Sequence, residues 1–447
     1  MAAKSLTPSP KTHPVRPPPP SPPAHHANDS CTAFKNPWPS AAAQTWAELA
    51  AQKFPLAWPQ PLEALRTHAK AKEVKVVKPD WGKAQLEEKG LQREKCVVGT
   101  WLGHAGVLVE MGIRGSGGGG SMEGKGKKES LFLLFDPIFS DRAGPAQWIG
   151  PGRMKASPCQ VGDLPGCDAV FISHNHYDHL DLGTVEAVLQ RFPWCRYFVP
   201  LGNKSWFVQV GVAAELVVEL DWWAEQEFGA KDFGGQAEPE EDDEVEETRL
   251  RVTCVPAQHN SGRAGMDAGS TLWCGWAVER FVGPKKKGPE ADDQSTTSRA
   301  TRKGAIYHAG DTGYRGSAKS EIMCPAFEQI GRKLGPFDLS FIPIWRGGSL
   351  GFISYIGLRL LHDDLPATLH CSPTDAVAIH QDVKSRNTVG IHFGTFVGSE
   401  NETYEAMIEF GEACDDCGVR SLDDRVEGEQ GRAGTLDIGG SLVVEVG

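Results

Sequence analysis

Long apolar runs are missing from these 447 residues. A bilayer-spanning helix needs about 18 consecutive apolar residues. The most apolar tract, "SLGFISYIGLRLL" at 349–361, is shorter and carries Arg359. An apolar h-region is missing from "MAAKSLTPSPKTHPVRPPPPSPPAHH", so no secretory signal is expected. Acidic residues are also missing before Asp29, which leaves mitochondrial targeting as an alternative to the cytoplasm. The prolines there oppose the amphipathic helix that such targeting requires.

There is no basic excess either. The formal net charge is -12 and the pI about 5.7, which argues against a nucleic-acid partner. Much of that charge is local, since "EPEEDDEVEE" at 238–247 carries eight acids and reads as a solvated loop. The 11 cysteines lack the dense spacing of a disulfide scaffold and read as reduced thiols. Their one close pair, Cys414 and Cys417 in "CDDC", has no second pair nearby to complete a zinc site. No internal repeat is visible.

With 40% hydrophobic residues the chain can bury a substantial core. Residues 1–30 are Pro-, Ser- and Ala-rich and are expected to be disordered. Residues 31–95, with the helix-forming "AAAQTWAELAAQKF", are expected to pack as an extension on a main domain covering 96–447. That domain opens with short β-type runs: "CVVGTWLGHAGVLVEM", "LFLLFDP", "DAVFISH", "RYFVPLG", "LVVELDWW", "LRVTCVPAQ", "LWCGWAV", "AIYHAGD", "LSFIPI" and "TVGIHFG". Helical patterns at 182–192 and 373–385 interrupt them, giving an α/β class of strands covered by helices. Loop inserts are expected near 112–130, 230–248 and 283–304.

"FISHNHYDHLD" at 171–181 places three histidines and two aspartates where a strand ends. Alternation can point His174 and His176 to one side, while Asp178 and His179 follow on the turn, so one loop offers two ligand sets. Burying these groups without a metal would leave polar atoms hard to satisfy. His259, Asp311 and His392 each lie where a β-type run gives way to a loop, and they bring the ligands toward the six or seven that two metals need.

The HxHxDH element with its later histidine, "GDTG" aspartate and final histidine resembles the metallo-β-lactamase superfamily. "TWLGHAGVLVE", "DPIFSDRAGPAQWIGPGRMKASPC", "ELDWW", "HAGDTGY", "PAFEQIGRKLGPFDLSFIPI", "GIHFGTF" and "NPWP" narrow the resemblance to the N-acylphosphatidylethanolamine-hydrolysing phospholipases D. It implies a four-layer αβ/βα sandwich with two zinc ions, His174, His176 and His259 on one, Asp178, His179 and His392 on the other, and Asp311 bridging. The implied reaction is hydrolysis of N-acylphosphatidylethanolamine to N-acylethanolamine and phosphatidic acid, by a peripheral protein, with a homodimer as one expected assembly.

Further matches are Arg263 as a phosphate contact, His370 as an aid to proton transfer or placement, and Gln147 and Trp148 beside the substrate. Tyr177, between the two ligand sets, either faces the substrate or fills space. Trp148 stands where the family has tyrosine, so the phenolic hydroxyl is lost. Asn260 and the segment 344–370 also depart from the family pattern. Segments 54–62 and 349–361 are candidate membrane contacts. The competing readings are a hydrolase of another small ester, lactone or phosphodiester, and a non-catalytic metal-stabilised scaffold at a membrane.

Overall fold

Period-two alternation decides which faces of the chain meet. In the strand Ser130–Phe135, Leu131, Leu133 and Phe135 join one apolar core while Leu134 joins another on the opposite face. The computed structural model describes residues 24–42, 56–57, 60–113, 130–229, 232–233, 246–263, 267–284, 300–317, 319–345, 359–360, 367–396, 399–424 and 430–446.

Seven strands form one mixed sheet in the order Ser441–Glu445, Cys96–Gly103, Gly106–Gly112, Ser130–Phe135, Ala169–Phe171, Arg196–Pro200 and Val217–Leu220. Its first three pairings are antiparallel and its last three parallel. Eight strands form the second sheet, ordered Arg420–Ser421, Arg432–Gly434, Asn387–Ile391, Leu339–Pro343, Thr301–His308, Gly275–Pro284, Glu246–Val255 and Glu225–Gly229. Here four parallel pairings lead into three antiparallel ones.

The inner faces meet closely. Phe171 stacks on Phe135 and Phe198 of its own sheet and meets Trp276 of the other edge-on, with ring centroids 5.6 Å apart. Gly99 lets the sheets approach, because a Cβ there would lie 2.6 Å from the Phe341 ring. Phe171 is fully buried, and truncating it to alanine would cost about 3–5 kcal/mol. On the outer face of the first sheet, Val185 and Val188 of helix Leu182–Arg191 pack with Leu134, Val170 and Ile172. Helices Ala326–Lys333, Pro373–Asp382 and Glu400–Asp416 pack side by side, the middle one against strand Leu339–Pro343. The four layers are those the resemblance implies.

The N-terminal extension lies against this sandwich: Arg66 pairs with Glu400 at 2.9 Å, and helix Lys83–Lys89 lies beside strand Ser441–Glu445. Of the tail expected to be disordered to residue 30, residues 24–30 are placed, because His25 and His26 both hydrogen-bond Asp221. The remainder of that tail, most of the helical stretch near Trp46, and the interiors of the three inserts lie outside the described residues. Each insert joins two antiparallel neighbours, for instance Gly275–Pro284 and Thr301–His308, so the hydrogen-bonded pairing does not depend on loop length. Within the segments proposed as membrane contacts, Leu56 pairs with Leu360 and Ala57 with Arg359 as adjacent antiparallel strands.

Candidate metal centre

Parallel pairing brings like ends of strands together, and the ligand residues stand at those ends. In the first sheet, Asp136 follows Ser130–Phe135 and the motif loop follows Ala169–Phe171. In the second, Asp311 follows Thr301–His308 and His392 follows Asn387–Ile391. His259 arrives from Glu246–Val255, across the same edge. Three non-glycine residues here hold left-handed backbone, His104 (φ 53°), Asp136 (φ 38°) and His392 (φ 63°), a strained conformation that the surrounding packing maintains. Asp181, the motif's last aspartate, is not a ligand but caps helix Leu182–Arg191, accepting from Thr184 N at 3.0 Å and from Ser140 Oγ at 2.7 Å.

One set comprises His174, His176 and His259, with His176 Nδ1 lying 2.8 Å from His174 Nε2 and 3.4 Å from His259 Nε2. The other comprises Asp178, His179 and His392 together with His104, whose Nε2 lies 2.9 Å from Asp178 Oδ2. The Nε2 atoms of His179 and His392 are 3.3 Å apart. Asp311 sits between the sets. Its Oδ1 is 2.9 Å from His392 Nε2, and its Oδ2 is 3.1 Å from His179 Nε2, 3.8 Å from His259 Nε2 and 3.9 Å from His174 Nε2.

Hydrogen bonds on the far side of each ring show which nitrogen carries the lone pair. His259 Nδ1 lies 2.8 Å from the Leu369 carbonyl, which only accepts, so Nδ1 donates and Nε2 faces the site with its lone pair. Ser173 Oγ donates to Asp136 Oδ2 at 2.6 Å and therefore accepts from His174 Nδ1 at 2.9 Å, leaving His174 Nε2 in the same state. His179 Nδ1 donates to Asp136 Oδ2 at 2.9 Å, and its Nε2 then confronts the Asp311 carboxylate. Lone pairs and carboxylate oxygens thus converge from every side, a donor set that fits cations. His392 Nδ1 is buried without a hydrogen-bond partner among the described residues.

The electrostatics of the two sets differ. Burial holds His174 and His259 well below the ordinary imidazole range and lowers His176 too, so all three present neutral nitrogens. Burial also works against charge on His179, but Asp311, Asp178 and Asp136 outweigh it and push that imidazole well above its ordinary value. Asp311 mirrors this: burial opposes its ionisation, yet His179 and His392 hold the carboxyl well below the usual range. Positive charge is therefore favoured at the point where His179 meets Asp311, where a bound cation would serve equally.

His370 reaches the edge of the cluster, its Nδ1 3.8 Å from Asp311 Oδ2, and burial lowers its pKa to about 4. Arg263, expected as a phosphate contact, also braces the protein itself. Its Nε donates to the Asn175 carbonyl at 2.6 Å, a second nitrogen donates to the Leu180 carbonyl, and the guanidinium stacks over the rings of Tyr177 and Trp206. Two of its donors thus brace the motif loop, and Tyr177 is held beneath it as a packing surface. Gln147 and Trp148 stand on a hairpin closed by Arg142 and Gly152 rather than among the ligands, with Trp148 81% exposed.

Three contributors have no role assigned from the sequence: His104, Asp136 and Gln258. The first two end β-type runs in "GHAG" and "FDP", the same signal that marks His259 and His392. Gln258 is fully buried, and its hydrogen bonds join three loops. Its backbone N–H donates to Thr312 Oγ1 at 2.9 Å, its side-chain amide donates to the Thr368 carbonyl at 2.9 Å, and its Oε1 accepts from Ser40 Oγ at 2.6 Å. Nearby, Asn36 Nδ2 donates to the carbonyl of His259 at 2.7 Å.

Among the described residues no helix is long and apolar enough to cross a membrane. The beta-lactamase superfamily domain matches residues 132–393, which span every candidate ligand of this centre but His104. A Caenorhabditis elegans N-acyl-phosphatidylethanolamine-hydrolyzing phospholipase D is 31% identical over 70% of this chain and 67% of its own length. The mitochondrial enzyme of that name in Saccharomyces cerevisiae is 26% identical over 72% of this chain and 54% of its own. The solved structure of Igni18, a metallo hydrolase from Ignicoccus hospitalis, is 15% identical and covers 78% of this chain and 98% of its own, with a TM-score of 0.41. The chain belongs to the metallo-β-lactamase superfamily, among the relatives of the N-acylphosphatidylethanolamine-hydrolysing phospholipases D.

Proposed function

We propose that this metal-dependent hydrolase is a two-zinc phosphodiesterase that cleaves N-acylphosphatidylethanolamine into N-acylethanolamine and phosphatidic acid. The observation that carries the reading is the pair of ligand sets joined by buried Asp311, in a chain 31% identical to an enzyme of that name. His174, His176 and His259 would hold one zinc, Asp178, His179 and His392 the other, and Asp311 both. When bound, two such ions supply an activated water and neutralise charge on the attacking and leaving oxygens of a phosphodiester.

The chain's own residues set the conditions for that chemistry. Asp136 holds the proton of His179 on Nδ1 and keeps Nε2 turned inward. His370 is neutral at physiological pH, and its Nδ1, buried without a hydrogen-bond partner among the described residues, faces Asp311, where it would orient a substrate oxygen or a proton in transfer. Trp148 and Ile149, 81% and 45% exposed on their hairpin, give the protein an aromatic and an aliphatic side chain suited to a lipid–water interface. That hairpin leads to Met154, whose N–H donates to the Thr395 carbonyl three residues after His392. A phospholipid met there enters beside the ligands.

The test is a mass-spectrometric assay of purified full-length protein, zinc-loaded and zinc-stripped, against N-acyl phospholipids, simple esters and lactones. Zinc-dependent release of N-acylethanolamine with phosphatidic acid is expected. Turnover of esters or lactones alone would replace this reading with the broader hydrolase one, and zinc binding without any turnover would make the protein a scaffold.

A further inference from the structure

We infer that His25, His26 and Asp221 form a separate site for a zinc-type divalent cation, which clips the N-terminal arm to the sandwich. The three residues come from segments nearly 200 positions apart, yet His25 Nε2 lies 2.7 Å from Asp221 Oδ1 and His26 Nε2 2.8 Å from Asp221 Oδ2. Consecutive side chains on an extended strand point to opposite faces. Here a turn at residues 24 and 25, followed by the bridge between His26 and Phe34, brings both rings to one carboxylate.

The rings repeat the arrangement of the histidine trio. His25 and His26 have centroids 4.6 Å apart with planes at 85°, against 4.4 Å and 80° for His174 with His176 and 4.5 Å and 78° for His174 with His259. Perpendicular imidazoles with converging nitrogens are what two ligands on one ion present, and imidazole nitrogen with carboxylate oxygen is a zinc-type donor set. Both imidazoles are shielded, their side chains 7% and 3% exposed, while Asp221 at 26% leaves a side open for water as a fourth ligand. Tetrahedral bonds of about 2.0–2.1 Å set ligand atoms about 3.3 Å apart, so each imidazole nitrogen must draw back from the carboxylate by about 0.6 Å to admit the ion.

The surroundings hold the rings in that pose. His25 stacks on Trp222 at 4.2 Å, and Trp38 stacks on the same indole at 5.3 Å. Asp221 directly follows strand Val217–Leu220, which gives the carboxylate a rigid base. The arm so pinned continues to Asn36 and Ser40, which contact the His259 carbonyl and Gln258. A cation here thus belongs to the fold's attachment of the arm and is distinct from the main centre.

The test counts zinc ions per full-length chain by native mass spectrometry after zinc loading and desalting. The double variant His25→Ala/His26→Ala should hold one zinc fewer than the wild type. Asp221→Asn, which keeps the size of the side chain and an oxygen for hydrogen bonding, should lose the same ion. This single variant decides the question if the double variant does not fold. Adding His174→Ala should remove zinc from the other centre independently. Equal zinc counts in the wild type and Asp221→Asn would overturn the proposal and leave two imidazoles hydrogen-bonded to a carboxylate.

Discussion

The histidine trio and the set around His179 face each other across Asp311, yet they are built on opposite electrostatic principles. The trio is neutral: burial strips charge from His174, His176 and His259, and its supports are a backbone carbonyl, a serine hydroxyl and the Gln258 network. The set around His179 is anionic in its surroundings, with Asp178, Asp311 and Asp136 raising that imidazole's proton affinity. One half would gather a cation with neutral lone pairs and the shared Asp311, the other with additional carboxylate charge from Asp178 and Asp136. The difference implies two sites of unequal affinity whose supports can be removed separately.

The largest effect should come from the residue common to both. Asp311→Asn removes the charge that would hold cations between the sets, and with it the several kcal/mol of transition-state stabilisation that bound metal supplies, so turnover should fall about 10³-fold or more. Steady-state kinetics checks this, and near-normal turnover with both metals retained would sink the bridging role. Asp136→Asn strikes the second set through His179 Nδ1 and reaches the first only through Ser173. Zinc affinity should fall about 10–100-fold at one site, read by chelator competition, with the other site less affected. Asn36→Ala removes a donor from the His259 carbonyl and should weaken the trio's zinc by about tenfold or less. Equal weakening of both sites would abolish the distinction between them.

The smallest effect lies outside the centre and calibrates how burial acts on an imidazole with no cation to hold. His380 Nε2 donates to the Gln430 carbonyl at 2.7 Å, and its Nδ1 lies 2.7 Å from Thr388 Oγ1, so the buried ring is held at both nitrogens. Burial lowers its pKa below the ordinary 6.5. The unfolded chain therefore binds the extra proton first, and stability is lost as pH falls from 6.5 toward the folded value. His380→Gln should cost about 1 kcal/mol at neutral pH and less under acid, measured as urea midpoints from pH 5 to 7.5.

The strands are largely readable because their apolar runs are short and punctuated by turn residues. "LFLLFDP", "RYFVPLG" and "LSFIPI" fall on Ser130–Phe135, Arg196–Pro200 and Leu339–Pro343. The C-terminal run at 441–445 is absent from the expected strands, yet it supplies the edge strand beside Cys96–Gly103, a pairing that no local pattern encodes. For the site, a dense motif announces itself, and single histidines at strand ends follow by position. What the sequence does not show for Arg263 is the rest of its surroundings, because four residues of spacing after His259 say nothing of the two carbonyls of the motif loop and the two rings that its guanidinium meets. The expected tail boundary is displaced because composition measures what a segment can bury, not whether a distant Asp221 awaits its histidines.

Residue chemistry alone specified that imidazoles and carboxylates crowd at a strand's end, since spacing and side-chain type are properties of the chain itself. Folding decided which nitrogen of each ring turns inward, which carboxylate lies between the sets, and that the N-terminal arm reaches His259. Those outcomes depend on hydrogen bonds between residues such as His259 and Leu369 or Ser40 and Gln258, far apart in the chain and brought together only when two sheets close over one core.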